Sequence, residues 1–149
     1  MIKIISVGSI KEEYLKEAIE DYKKRLSKYT KLEIIEVADE KIKDKALSLE
    51  AKNILKHIKN KDYVITLEIE GDKLSSEELS KKIETTLITN SNITFVIGSS
   101  YGLDNEVKQR SNYHLSFSSL TFPHGLFRLI LLEQIYRSFK IINNETYHK

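Results

Sequence analysis

Apolar residues along the chain fall into two alternating rhythms. Short β-branched or aromatic runs at 2–7, 32–37, 63–67, 93–97 and 113–117 have the chemistry of strands. The segments between them repeat at helical spacing. From Lys11 to Tyr29, the residues Tyr14, Leu15, Ala18, Ile19, Tyr22 and Leu26 form one stripe, with Lys and Glu elsewhere, as on a helix laid over a sheet. Ile42, Ala46, Leu49, Ile54, Leu55 and Ile58 make a second, less regular stripe among lysines. Glu68 to Lys73 read as a connection turning at Gly71. Ser75 with Glu78 three residues on is a capping box that opens a helix to about Leu87. A short helix starts near Asp104, and Phe122-Pro123 stands at the mouth of a last helix, where proline is favoured in the first turn. That helix runs to about Phe139 and leaves 141–149 as a tail. Five strands alternating with helices predict an α/β protein on a mostly parallel sheet.

The last helix departs from amphipathic logic. Leu126, Phe127, Leu129, Ile130, Leu131, Leu132, Ile135, Tyr136 and Phe139 cover nearly its whole circumference. A helix on one face of a sheet should be polar on its far side. A chain of 149 residues has little mass to cover both sides, so a second copy packed against this helix, a homodimer, is the economical expectation. Glu133 and Arg137 stand four apart and can pair on one flank.

Length allows one domain over residues 1–149. A folded monomer of this size exposes roughly 7,800 Å². The chain has no cysteine, which removes disulfides, thiolate nucleophiles, zinc–sulfur sites and iron–sulfur clusters. Its first residues read as a strand and not a signal peptide, and no apolar run approaches a membrane span. A cytoplasmic protein without membrane contact is expected. Net charge is +2, distributed as +3 over 1–62, −3 over 63–115 and +2 over 116–149. No basic tail of the kind that binds nucleic acid unaided is present.

Ligands of parallel sheets bind where loops leave the carboxyl ends of strands. Three connections qualify: Glu68–Lys73, Gly98–Gly102 and Ser116–Phe122. Gly98 permits close backbone approach and Gly102 can supply a positive φ. Neither a Gly-x-Gly-x-x-Gly nor a Walker pattern occurs, so an adenosine-bearing ligand suits these loops better than a dinucleotide. His114 and His124 are ten apart with no acidic residue beside them in sequence, which argues against a metal. Either histidine reads equally as a hydrogen-bonded structural residue. The chain closes on Tyr147-His148-Lys149. A phenol, an imidazole and an ammonium together can contact phosphate, stack on a base and move a proton; chemistry alone leaves function and coincidence both open.

In combination these residues are recognisable. Phe95-Val96-Ile97-Gly98-Ser99-Ser100-Tyr101-Gly102-Leu103, Leu115-Ser116-Phe117-Ser118, Thr121-Phe122-Pro123-His124 with Arg128, Glu133-Gln134-Ile135-Tyr136-Arg137 and the final Tyr147-His148-Lys149 closely resemble the bacterial ribosomal RNA large subunit methyltransferase H family, of the SPOUT class. The likeness spans essentially the whole chain. It implies a knotted α/β fold with helices on both sheet faces, a C-terminal trefoil knot and a homodimer. It also implies S-adenosyl-L-methionine as methyl donor, held by Leu67, Gly98, Phe117, Ser118, Ser119, Leu120, Thr121 and Phe122, with Gly102 in the same loop set. The implied reaction is N3-methylation of a pseudouridine in helix 69 of 23S ribosomal RNA, within the large subunit or the assembled 70S ribosome, with no metal. The family usually carries glycine where Ser99 and Asn144 stand, and a longer segment around Glu40–Ser48.

N3 of pseudouridine holds its proton between two carbonyls, so a positioned base should dominate the protein's contribution. His148 is the candidate base, with Tyr147 and Lys149 orienting it or binding phosphate. Arg128, Glu133 and Arg137 are candidates for the RNA side of the pocket. The sequence leaves two other readings open: a SPOUT methyltransferase acting on transfer RNA, and a non-catalytic, ribosome-associated dimer that binds adenosine ligands.

Overall fold

The computed structural model describes the backbone of residues 1–149 and every side chain except that of Lys43. The elements follow in the order β1 (Ile2–Val7), α1 (Glu13–Leu26), β2 (Leu32–Val37), α2 (Lys43–Leu55), β3 (Tyr63–Lys73), α3 (Ser76–Thr89), β4 (Ile93–Ile97), α4 (Asn105–Arg110), β5 (Tyr113–Ser116) and α5 (His124–Ile142). All five strands join one sheet in the order β2-β1-β4-β3-β5, and every neighbouring pair is parallel.

Alternation along the strands divides the core. Ile2, Ile4, Ile65, Ile93, Phe95 and Leu115 pack on one face with residues of α1, α3 and α5. Ile5, Val7, Val64 and Val96 pack on the other with residues of α2 and α4. Strands covered on both faces read as nearly continuous apolar runs, and β1 and β4 do so, interrupted only by Lys3, Ser6 and Thr94. Under the sheet, Lys3 and Asp62 form a buried ion pair at 3.1 Å. The Lys3 ammonium also donates to the His57 carbonyl, and Asp62 accepts from the Lys59 N–H, Asn92 and Thr94.

Several boundaries differ from the sequence reading. The buried face of α1 is Leu15, Ile19 and Leu26, with Tyr22 half-buried; Tyr14 lies one residue off its edge and is 70% exposed. In α2 the inner face is Ala46, Glu50, Ala51 and Ile54, so Leu49 and Ile42 point outward. The segment Glu68–Lys73 is not a free connection. It prolongs β3, because Leu67 and Asp72 both pair with Leu115 while the residues between them loop out. Gly71 lies against the backbone of β5, where a Cβ would sit 2.7 Å from the His114 carbonyl oxygen.

Pro123 is the N-cap of α5, one position earlier than expected, and the helix continues to Ile142. The capping box holds: the Ser75 hydroxyl accepts from the Glu78 N–H and the Glu78 carboxylate accepts from the Ser75 N–H. Past α5, Asn144 has φ 55°, the one non-glycine residue with positive φ among the described residues. Asn tolerates that left-handed conformation, so the position takes Asn in place of glycine at little cost. Ser99 is not among the positive-φ residues and so needs no glycine for conformational reasons.

Between β5, at the sheet edge, and α5, residues 117–123 travel past the carboxyl ends of β3 and β4. The chain arrives at β1, where the His124 ring stands beside Ser6 and Gly8. From there α5 runs back between α1 and α3. Within one chain Leu126 is 37% exposed and Leu129 and Ile130 are half-buried. Among the described residues, no helix is long and apolar enough to cross a membrane.

Candidate functional site

The three strand-end connections converge on one cavity of about 630 Å³. Its walls are Leu67–Glu70 from the outward loop of β3, Ile97–Leu103 after β4, and Leu115–Ser118 with Leu120–His124 after β5; Lys108 and Phe127 complete it.

Each loop is fixed by its own chemistry. At Gly98 a Cβ would lie 2.5 Å from the Gly102 carbonyl oxygen, so the tight return of the chain needs glycine there. Gly102 has φ +85° and faces open space, so it is required for backbone conformation alone. Ser99 donates to the buried Glu50 carboxylate at 2.9 Å and accepts from the Tyr101 N–H at 3.3 Å, so a hydroxyl pins this loop. Burial pushes the Glu50 carboxyl above its ordinary value, against the pull of the Glu40 N–H and the Ser99 hydroxyl.

In the last loop, Ser118 accepts from the Leu120 N–H at 3.0 Å and Ser116 donates to the Ser118 carbonyl at 3.3 Å. Phe117, Phe122 and Phe127 form an aromatic wall, with ring centroids 5.2 and 6.0 Å apart across Phe127. On the β3 side, Glu68 accepts from the Thr66 hydroxyl at 2.6 Å, contacts the His114 Nδ1 and pairs with Lys108 at 3.7 Å. Folding thus brings an acidic residue to His114 that the sequence kept distant. Among the described residues, however, no group of three or more potential metal ligands assembles.

Eight of the nine expected cofactor residues line this cavity. Ser119 does not; its hydroxyl accepts from Lys73 at 2.8 Å outside it. His124 lines it, with Nε2 3.4 Å from the Ser6 hydroxyl. Burial first, and the neighbouring Arg128 second, hold the His124 imidazole below its ordinary value, so it is neutral at pH 7. Arg128 is buried behind it, donating to Glu36 at 2.7 Å and to Ser6 and the Gly8 carbonyl at 3.1 Å each. Its Nε–H has no partner among the described residues.

The other expected catalytic residues gather elsewhere, where the tail folds over α3 and α5. Arg137 donates to Glu133 through Nε at 3.1 Å and Nη2 at 2.7 Å. Tyr147 donates to the same carboxylate at 3.1 Å and packs edge-on against Tyr136. His148 bridges Arg137 at 3.1 Å and Glu77 at 2.6 Å. Burial, then the neighbouring Tyr22 and Glu133, push the Tyr147 phenol up to about 12, so at neutral pH it is a donor and not a base. Lys149 is exposed at the end of this cluster. None of the tail residues lines the cavity of its own chain.

A family model described as "Predicted SPOUT methyltransferase" matches residues 1–148. The chain belongs to the SPOUT methyltransferase family. Relatives named "Ribosomal RNA large subunit methyltransferase H" from Clostridium botulinum strains Hall and 657 are each 56% identical over 158 positions, covering 99% of both chains. Among solved structures, a probable methylase family protein from Haemophilus influenzae Rd KW20 superposes with TM-score 0.60 at 18% identity, over 99% of this chain and 70% of that one. That likeness shows a shared α/β fold.

Sequence reasoning missed Ile97, Leu103 and Phe127 as walls of the cavity, and Glu50 and Glu77 as supports. Ile97 follows once the end of β4 is known, whereas Leu103 enters from beyond the loop after it and Phe127 from the first turn of α5. No spacing in the chain links Glu50 to Ser99 or Glu77 to His148; both pairings arise from helix packing.

Proposed function

We propose that the protein methylates N3 of a pseudouridine in helix 69 of large-subunit ribosomal RNA, using S-adenosyl-L-methionine, as a cytoplasmic homodimer acting on the large subunit or the assembled ribosome. The observation that carries this reading is the convergence of the three strand-end loops on one cavity of about 630 Å³, in a chain more than half identical to proteins bearing the methyltransferase H name. The size falls within the roughly 300–1,000 Å³ of small-molecule sites. Its chemistry fits the donor: Phe117, Phe122 and Phe127 offer an apolar wall for a purine, and Glu68 and Glu70 put carboxylates on the β3 side, suited to a cationic ligand.

When bound, the donor supplies a methyl carbon whose bond to sulfur breaks with the electron pair returning to sulfur, so no metal is needed. The chain's own residues have three tasks. The loops at 98–102 and 116–122 hold the donor and keep water from it. His148 takes the N3 proton, and the freed nitrogen lone pair forms the new N–C bond. Tyr147 and Arg137, both tied to Glu133, hold the tail in register, and Lys149 stands free to meet RNA phosphate.

Because the tail does not reach its own cavity, we propose that it completes the cavity of a second copy. The partly uncovered Leu126, Leu129 and Ile130 support a partner on α5. So does the accessible surface of 8603 Å², larger than the roughly 7,800 Å² of a self-contained monomer this long. The passage of 117–123 across the ends of β3 and β4 supports the trefoil knot.

Mass spectrometry of helix 69 nucleosides, with and without the gene, tests the function. Loss of the N3-methyl mark on deletion is expected. An unchanged mark, or methyl transfer only to a transfer-RNA pool, overturns the reading.

A further inference from the structure

We infer that Glu77 is a positioning residue for His148: with Arg137 on the opposite side of the ring, its carboxylate holds the imidazole as the Nε2–H tautomer and leaves Nδ1 as the nitrogen that takes up a proton. The inference rests on the reading of His148 as the base and deepens it.

Arg137 Nη1 lies 3.1 Å from His148 Nδ1. A guanidinium has only donors, so Nδ1 must accept and cannot carry hydrogen. A neutral imidazole has one ring proton, which therefore sits on Nε2, 2.6 Å from Glu77 Oε1. A doubly protonated ring would set one donor against another at Arg137. Neither supporting group is loose. Arg137 is gripped by Glu133, which also receives the Tyr147 hydroxyl. Glu77 lies in the first turn of α3, set by the capping box, and the adjacent Ser76 hydroxyl ties α3 to Gln134 of α5 at 2.7 Å. Its carboxyl is held below the ordinary value by its own backbone N–H at the helix start and then by His148, so it is ionised at neutral pH. Glu77 does not line the cavity and acts only through the ring.

One consequence concerns the order of events. With Nε2–H committed to Glu77, proton uptake has a single address, and Arg137 occupies it. The Nη1–H has to turn to another acceptor before Nδ1 can work, while Nε and Nη2 stay on Glu133. A backbone phosphate of the bound RNA has the charge and geometry to receive it.

Nitrogen-15 NMR of the full-length protein reads the tautomer directly, with His148→Gln to assign the ring. The wild type is expected to show Nε2–H. Glu77→Ala is expected to give a mixed or averaged ring and a fall in kcat of about tenfold or more, a part of the 10²–10⁴ that a positioned base supplies, with the KM for S-adenosylmethionine unchanged. Glu77→Gln retains an acceptor oxygen and is expected to restore both the tautomer and most of kcat. Glu84→Gln, an exposed change on the same helix, is the control and should match wild type. An Nδ1–H ring in the wild type, a ring unaffected by Glu77→Ala, or a wild-type kcat in that variant overturns the assignment. The NMR result does not depend on turnover, so an enzyme without ribosomal RNA activity would sink the proposed function while leaving the tautomer readout to decide on Glu77.

Discussion

At Gly98 the shape of the 98–102 loop depends on one missing methyl group. The carbonyl of Gly102 lies 2.5 Å from where a Cβ would be, and Leu103 Cδ2 lies 2.9 Å away. An alanine must therefore push the 98–102 loop off its path. Gly98→Ala is expected to weaken binding of S-adenosylhomocysteine by tenfold or more, about 1.4 kcal/mol, with little change in thermal stability because the loop lies at the surface end of the sheet. Titration calorimetry measures the first and a melting curve the second. Unchanged affinity would remove this loop from the site. Other single residues were readable in advance: the Ser75–Glu78 box, and Asn144 as a replacement that a left-handed position accepts. The role of Ser99 was not, because its partner Glu50 is 49 residues away and meets it only through the packing of α2 beneath the β4 loop.

At the scale of elements, the buried pair of Lys3 and Asp62 ties β1 to the turn before β3 and, through Asn92 and Thr94, to β4. Burial pushes the Asp62 carboxyl up, but the Lys59 N–H, Lys3 and Asn92 together outweigh it, and the net direction is down. A carboxyl held lower in the folded than in the unfolded chain adds stability above its unfolded pKa and loses it as pH falls through the folded value. Lys3→Met removes the cation and leaves a buried carboxylate without it. The expected cost at pH 7 is roughly 3–5 kcal/mol, and the acid limb of stability should flatten, since Asp62 then protonates more readily in the folded state. Urea denaturation between pH 3 and 7 compares the two proteins; equal stability at neutral pH would mean that the pair contributes nothing net. The strands themselves were legible because parallel strands buried on both faces appear as short apolar runs. The tail end of β3 was not, since its pairing resumes with Leu115 only after a four-residue excursion, which alternation cannot reveal.

For the whole molecule, the decisive relation is between the cavity and the tail, which one chain keeps apart. If each tail serves the other copy's cavity, a subunit lacking the tail beyond Asn144 is inactive alone, and a subunit carrying Gly98→Ala is nearly so when the donor is kept well below its weakened Kd. Mixed, they form some heterodimers with one intact composite site. Up to about a quarter of wild-type activity per total subunit is expected if the subunits exchange at random, given the symmetry of such an interface. Methyl-transfer assays on the mixture read this directly, and no recovery would mean that each site is built from a single chain.

What the sequence determined by itself was local: which segments are strands and helices, where α3 is capped, that α5 is apolar almost all round, and which loops sit at strand ends. These follow from spacing and residue type, which act over one or two turns of chain. Tertiary structure alone decided that Arg128 stands behind His124 rather than beside the tail, that Glu68 meets His114, and that Glu77 and Arg137 take the two nitrogens of His148. The contacts of Arg137 and Glu77 with His148 and of Glu68 with His114 join residues 11, 71 and 46 positions apart. Distances across a folded sheet depend on strand order and helix packing, and neither is written in the periodicity of any one segment.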